Sequence, residues 1–308
     1  MNKISKKYLI KNKKVFKLKN QLKPTVIHRQ MKNLNCNVFN LMKQYIKDFS
    51  VNIMRYLIEL FVGFKYIKKT FELKNFYNNK KALIIGNGPS QGFLKPKELN
   101  DFIKNGGHTF CLNNFYKDKI LSKHVPTWYF LSDPGHFNNS YLKHLIKYFK
   151  MNPSIKIVLP YKKVRFLENL GLKNQLYCFS DTEISFFKNI NPLFPRGYVS
   201  MTLYKALAWA LYLGYNSTGV IGMDNTYIKE FFSDENNKLF LLHNNKIKGN
   251  IVLQKYPNLN VSKFLFDLFT SFYHLEYFPN KNIFNLDKFS LTDRFKKISK
   301  KKFLKISN

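Results

Sequence analysis

Residues 82–90, Ala-Leu-Ile-Ile-Gly-Asn-Gly-Pro-Ser, hold the densest chemistry in this chain. Gly86 and Gly88 end a short apolar run, where glycine permits positive φ and lets a ligand approach bare backbone. Between them Asn87 offers an amide with two donors and one acceptor oxygen, suited to a phosphate, a ribose or a base. Ser90 closes the motif. In an open α/β sheet such a turn lies beyond the carboxyl end of a strand, where successive N–H groups hold phosphate oxygens. An ordinary strand-to-loop turn uses the same residue types. The spacing lacks the third glycine of the G-x-G-x-x-G fingerprint, and no Gly-Lys-Ser/Thr follows as in a Walker A loop.

The elements that must position this turn are short apolar runs separated by helical patterns. Runs at 81–85, 108–112, 127–131, 155–159, 175–179 and 218–222 read as buried strands. Helical segments or loops of crossover length fall at 97–105, 139–150, 161–169, 183–190 and 200–213. Strands alternating with helices mean βαβ units and a mostly parallel, Rossmann-like sheet flanked by helices. Segment 200–213 is apolar nearly all round, which predicts burial against the sheet, with Ser200 as its N-cap. Ahead of the sheet, 38–50 and 52–70 carry helical spacing; behind it, 246–308 reads as a helical tail with a disordered basic end. The resulting division is a basic helical extension (1–78), a catalytic domain (79–245) and the tail (246–308).

The chain has 308 residues and a formal net charge of +34, from 52 basic against 18 acidic side chains. Residues 1–24 hold nine lysines, and no acid precedes Asp48. Such ends are either solvated arms or a polybasic attachment to an anionic membrane surface. No nucleic-acid module is recognisable, so nucleic acid is not an expected partner. Residues 51–67 fall short of a membrane span and read as a core-packing helix or, alternatively, an interfacial amphipathic one. Cys36, Cys111 and Cys178 lack metal-ligand spacing and fit a reducing compartment, while the N-terminus lacks the apolar run of a signal peptide. No Asp-x-Asp occurs, which argues against a metal-dependent nucleotide-sugar site.

Several motifs in order resemble a known family. They are Gly86-Asn87-Gly88-Pro89-Ser90, Asn113-Asn114-Phe115-Tyr116, Ser132-Asp133-Pro134, Leu213-Gly214-Tyr215 and Ile221-Gly222-Met223-Asp224. Together, over roughly residues 81–245, they resemble the glycosyltransferase family 42 sialyltransferases of bacterial surface glycans and, more distantly, MptE-like Rossmann proteins of polysaccharide loci. The resemblance implies a GT-A-variant fold and metal-independent, inverting transfer from a CMP-sugar, with no further cofactor. By position it puts Asn87 and Asn113 on the phosphate, ribose or cytosine, and Asp133 near the nucleotide or sugar. It puts Thr202 near the donor carboxylate and His243 in the role of general base. Met201-Thr202-Leu203 replaces the family's Thr-Ser-Gly. Asp224 is either a donor ligand or the cap of a strand-end turn. A histidine near its ordinary pKa of about 6.5 suits a base, and Tyr198 or Tyr227 is placed to donate to the leaving phosphate.

The expected partners are therefore a nucleotide-sugar donor, a glycan or glycolipid acceptor and an anionic membrane surface. The expected location is cytoplasmic, at the inner face of a bacterial membrane. A pterin-type pyrophosphokinase is the alternative enzyme, and a basic adaptor on a degenerate Rossmann core the alternative non-enzyme.

Overall fold

Apolar runs of four or five residues are too short for helices, and burial on both faces removes the need for polar alternation. The computed structural model describes residues 38–137, 139–184, 187–224, 231–233, 239–245, 250–255 and 269–305. The runs form strands β1 (Lys81–Ile85), β2 (His108–Leu112), β3 (Trp128–Phe130), β4 (Lys156–Pro160), β5 (Leu176–Phe179) and β6 (Ser217–Ile221). Three further strands, β7 (Phe231–Ser233), β8 (Leu239–Asn245) and β9 (Asn250–Lys255), make a separate antiparallel sheet. Finally β10 (Ile283–Asn285) and β11 (Lys296–Lys297) join the main sheet. Its order is β11-β10-β6-β1-β2-β3-β4-β5, and every adjacent pair is parallel. The fold is α/β and Rossmann-like.

Helix α1 (Val38–Phe71) precedes the sheet, and α2 (Pro96–Lys104), α3 (Asn139–Met151), α4 (Tyr161–Glu168) and α5 (Thr202–Tyr212) lie between strands. From β1 the chain steps outward to β5, then returns through α5 to β6 on the other flank of β1. Strand order reverses between β1 and β6, so the loops leaving these two strands meet at the topological switch point. Helix α5 is buried along nearly its whole length, and it touches β1 and β2. Ala206, Ala208 and Ala210 present little bulk on it. Its Trp209 meets Trp128 edge-on at 5.9 Å and Phe130 at 6.1 Å. Such aromatic pairs add roughly 0.5–1.5 kcal/mol each beyond the area they bury.

Several expectations change. Of the segments read as helix or loop, 183–190 is a loop where it is described: Glu183 bridges Arg196, and Ile184 N–H donates to Arg196 O. The two helical segments before the sheet are one helix, α1. The tail is not simply helical and its basic end is ordered. Residues 269–275 are helical, but β10 and β11 extend the sheet and Lys300–Leu304 form a last helix. The reason is apolar. Phe278, Phe295 and Phe303 are buried, and the Phe303 ring lies where a Cβ on Gly219 would be 2.5 Å from it. Phe264, Leu265 and Leu268, residues 1–37 and Cys36 lie outside the described residues. Cys111 and Cys178 are free, buried thiols.

Candidate functional site

Each of the first three strands ends in a 3-10 turn at the carboxyl edge: Pro89–Phe93 after β1, Asn113–Lys117 after β2 and Pro134–Phe137 after β3. The glycine motif therefore sits at the switch point, but its glycines serve a different end from the expected one. Gly88 has φ −72°, and neither Gly86 nor Gly88 takes positive φ; Gly222 does, at 79°. A Cβ on Gly86 would stand 2.5 Å from Gly222 O, and one on Gly88 2.7 Å from the same oxygen while colliding with the Asp224 carboxylate. The glycines let the exits of β1 and β6 touch.

The amides expected to cradle phosphate are donated inside the protein. Gly86 N–H donates to Ile221 O (2.8 Å) and Gly88 N–H to Gly222 O (3.1 Å). Ser90 N–H donates to both Asp224 carboxylate oxygens at 3.1 Å, and Ser90 Oγ accepts from Gly222 N–H at 2.8 Å. Asp224 thus clasps the two loops. Burial first, and then a hydrogen bond with the Asp287 carboxyl, push its pKa up to about 6. Asp287, on the loop after β10, is itself buried. Asn87 faces out, with its side chain exposed.

Asn113 takes a left-handed backbone, φ 36°, which asparagine tolerates. Its Nδ2 donates to Thr202 Oγ1 at 2.9 Å and its Oδ1 accepts from Ser132 N–H at 3.2 Å. One side chain so ties the end of β2 to the loop after β3 and to the start of α5. Asp133 is exposed; it accepts from Gly135 N–H at 2.8 Å and faces His136 Nδ1 at 3.8 Å. His136 is buried and bonded through Nε2 to Asn114 Oδ1 at 2.9 Å, which places a proton on Nε2. Burial lowers its pKa.

The remaining site residues divide. Ser200 does not cap α5, whose N-cap is Met201; Ser200 Oγ instead accepts from Lys205 Nζ at 3.0 Å. Tyr198, read as a donor to the leaving group, is buried against Phe278, with ring centroids 5.2 Å apart. His243 lies on β8, in register with Val252 of β9. Tyr227 lies outside the described residues.

A buried ionic cluster beside the site escaped the sequence reading. Lys205 Nζ donates to Asp181 Oδ1 and to Ser132 Oγ, both at 2.6 Å. Arg196 bonds Glu183 Oε2 at 2.8 Å and the Tyr198 carbonyl, with Asp181 Oδ1 3.9 Å away. Burial lowers the Lys205 pKa to about 8, partly offset by Asp181, while Lys205 and Arg196 outweigh burial and hold Asp181 below the usual range. The signal was a single lysine inside an otherwise apolar helix.

Two hollows open here. A small one of about 100 Å³ is lined by Arg55, Glu59, Ser132, Pro160, Lys162 and Asp181, among others. A wider groove of about 670 Å³ lies between the Asn113–Lys117 turn and α3, with Tyr116, Lys117, Tyr141, His144 and Lys147 in its walls. Among the described residues no group of three or more His, Cys, Asp or Glu side chains could hold a metal ion.

No protein-family model and no curated protein matches the chain. Among solved structures, the MAf glycosyltransferase from Magnetospirillum magneticum AMB-1 is similar at a TM-score of 0.44 and 13% identity. The alignment covers 88% of this chain and 43% of that one, so the chain spans less than half the length of this neighbour.

Proposed function

We propose that the protein transfers a sugar from a nucleotide-activated donor, CMP-linked by the family resemblance, to a hydroxyl of a surface glycan. The observation that carries the reading is convergence. Asn87, Asn113, Asp133 and Thr202 come from four separate segments to the carboxyl edge of one parallel sheet, beside its switch point. In this reading Asn87 reaches the nucleotide, while Asn113 acts by fixing Thr202 and the β3 loop in place. The groove beside Tyr116 and Lys117 takes the acceptor, its volume lying within the usual range for ligand sites of about 300–1,000 Å³.

Transfer with inversion needs one proton removed. The acceptor oxygen attacks the anomeric carbon, the bond to phosphate oxygen breaks with its electron pair, and a base takes the hydroxyl proton. Asp133 is an exposed carboxylate oriented by Gly135 N–H, and His243 is the base that the resemblance implies. The test is release of CMP from a CMP-sugar in the presence of an oligosaccharide acceptor. Asp133→Asn and His243→Ala are assayed beside the wild type. The base variant should lose roughly 10²–10⁴-fold in rate with CMP affinity retained. Wild-type protein that neither binds CMP nor releases it would overturn the reading.

A further inference from the structure

Helix α1 is built inside out. The helix packs on β5 and α4, and its buried positions are polar or small apart from Tyr66: Asp48, Asn52, Glu59, Gly63 and Thr70. Glu59 accepts from Ser180 Oγ at 2.8 Å there, and Gly63 makes room for the Tyr161 ring. The opposite side exposes large apolar side chains at helical spacing: Phe39, Met42, Ile46, Leu57, Phe61 and Phe64. Phe61 is 86% exposed and Phe64 72%. The stripe runs most of a 34-residue helix, about 50 Å at 1.5 Å per residue. A contiguous apolar surface of this kind marks a contact face, where scattered single residues would not.

Charge selects the occupant. The helix carries Lys43, Lys47, Arg55, Lys65, Lys68 and Lys69. Its two acids, Asp48 and Glu59, are both turned inward and buried. Its outer face therefore joins apolar side chains to cations with no exposed carboxylate from the helix itself. A second copy would set like charge against like, on a chain already at +34. We propose that the outer face of α1 docks onto an anionic lipid bilayer, lying in the interface with its phenylalanines in the acyl boundary and its lysines at the headgroups. Among the described residues no helix is long and apolar enough to cross a membrane, so the contact is flat. On the inward side of this helix, Arg55 and Glu59 line the small hollow shared with Ser132 and Asp181.

Flotation of the full chain with phosphatidylcholine vesicles, with and without phosphatidylglycerol, tests this. Phe61→Glu with Phe64→Glu should lower partitioning onto phosphatidylglycerol vesicles at least about tenfold. The melting temperature should not move, because both side chains are exposed. Lys43→Gln with Lys47→Gln should weaken binding mainly at low salt. Unchanged partitioning of the Phe61→Glu/Phe64→Glu protein would overturn the proposal and leave the lysine-rich residues 1–24 as the anchor. Equal binding to uncharged vesicles would overturn it too. So would a wild-type dimer in sedimentation velocity that the same substitutions dissociate, since a second copy would then cover the face.

Discussion

Two charged clusters flank the carboxyl edge of the sheet, and desolvation meets opposite results in them. At the β1–β6 exits Asp224 and Asp287 share a site with no cation among their described hydrogen-bond partners, and the Asp224 pKa rises to about 6. Beside β5, Asp181 lies between Lys205 and Arg196, and its pKa falls. Desolvation penalises charge in both places; the counter-charge decides the outcome. The first cluster is a clasp in which Asp224 accepts from Ser90 N–H and bonds a neighbouring carboxyl. The second is a set of ion pairs whose members depend on one another.

The largest effect should come from breaking the second. Lys205→Met removes the ammonium that Asp181, Ser132 and Ser200 all engage, leaving Asp181 with Arg196 at 3.9 Å. Removing one partner of a fully buried pair typically costs about 3–5 kcal/mol; the Asp181 side chain is 38% exposed and keeps Arg196, so solvent and the arginine should hold the loss to about 1–3 kcal/mol. Urea unfolding measures it. A loss below about 1 kcal/mol would mean that the cluster relaxes into solvent and that the two regions do not differ as described.

The clasp should respond in the opposite direction. Asp224 binds its proton more tightly in the folded chain than when unfolded, since its pKa rises from 3.8 to about 6. Its contribution is therefore greatest at low pH, falls as pH rises from about 4 to about 6, and stays flat above that. Asp287→Asn keeps an acceptor oxygen for Phe289 N–H, bonded at 2.9 Å in the wild type, and supplies a permanent donor to Asp224. The variant should be more stable than wild type by about 1–3 kcal/mol at pH 7.5, with the difference closing toward pH 4. A variant less stable than wild type at pH 7.5 would show that the shared proton is not the source of the cost.

The difference between these regions also explains what was legible in the sequence. The six strands of the core read correctly because each is a short apolar run bounded by a polar or glycine turn, and burial on both faces leaves no competing pattern. Gly86 and Gly88 were recognisable as special, but not their reason. A glycine spared for a ligand and one spared for the loop of a distant strand look identical in one dimension; the partner, Gly222, lies 136 residues beyond Gly86 and 134 beyond Gly88. Asp287 and Glu183 carried no local signal, because pairing across the fold gives each its environment. The tail misread as helix has the same origin: β10 and β11 are three and two residues long, and each depends on a distant edge, β10 on β6 and β11 on β10. Helix α1 was read in the right place, and its spacing could not say which face turns inward.

The smallest expected change in stability is the sharpest test of where ligand chemistry sits. Gly86, Gly88 and Ser90 have their amides committed inside the protein, so the motif offers a ligand chiefly the exposed Asn87 amide. Asn87→Ala removes no packing and should leave stability within about 0.5 kcal/mol. If a nucleotide bonds that amide in a closed complex, its loss should weaken CMP binding by about 1–3 kcal/mol, a factor of roughly 5 to 150 in Kd. Titration calorimetry with CMP reads this directly, and a matching thermal melt shows the fold intact. Unchanged affinity would place the whole β1 turn on the scaffold side of the comparison. Any nucleotide site would then have to be built from the β2 and β3 loops, where Asn114 and Asp133 are among the exposed polar residues.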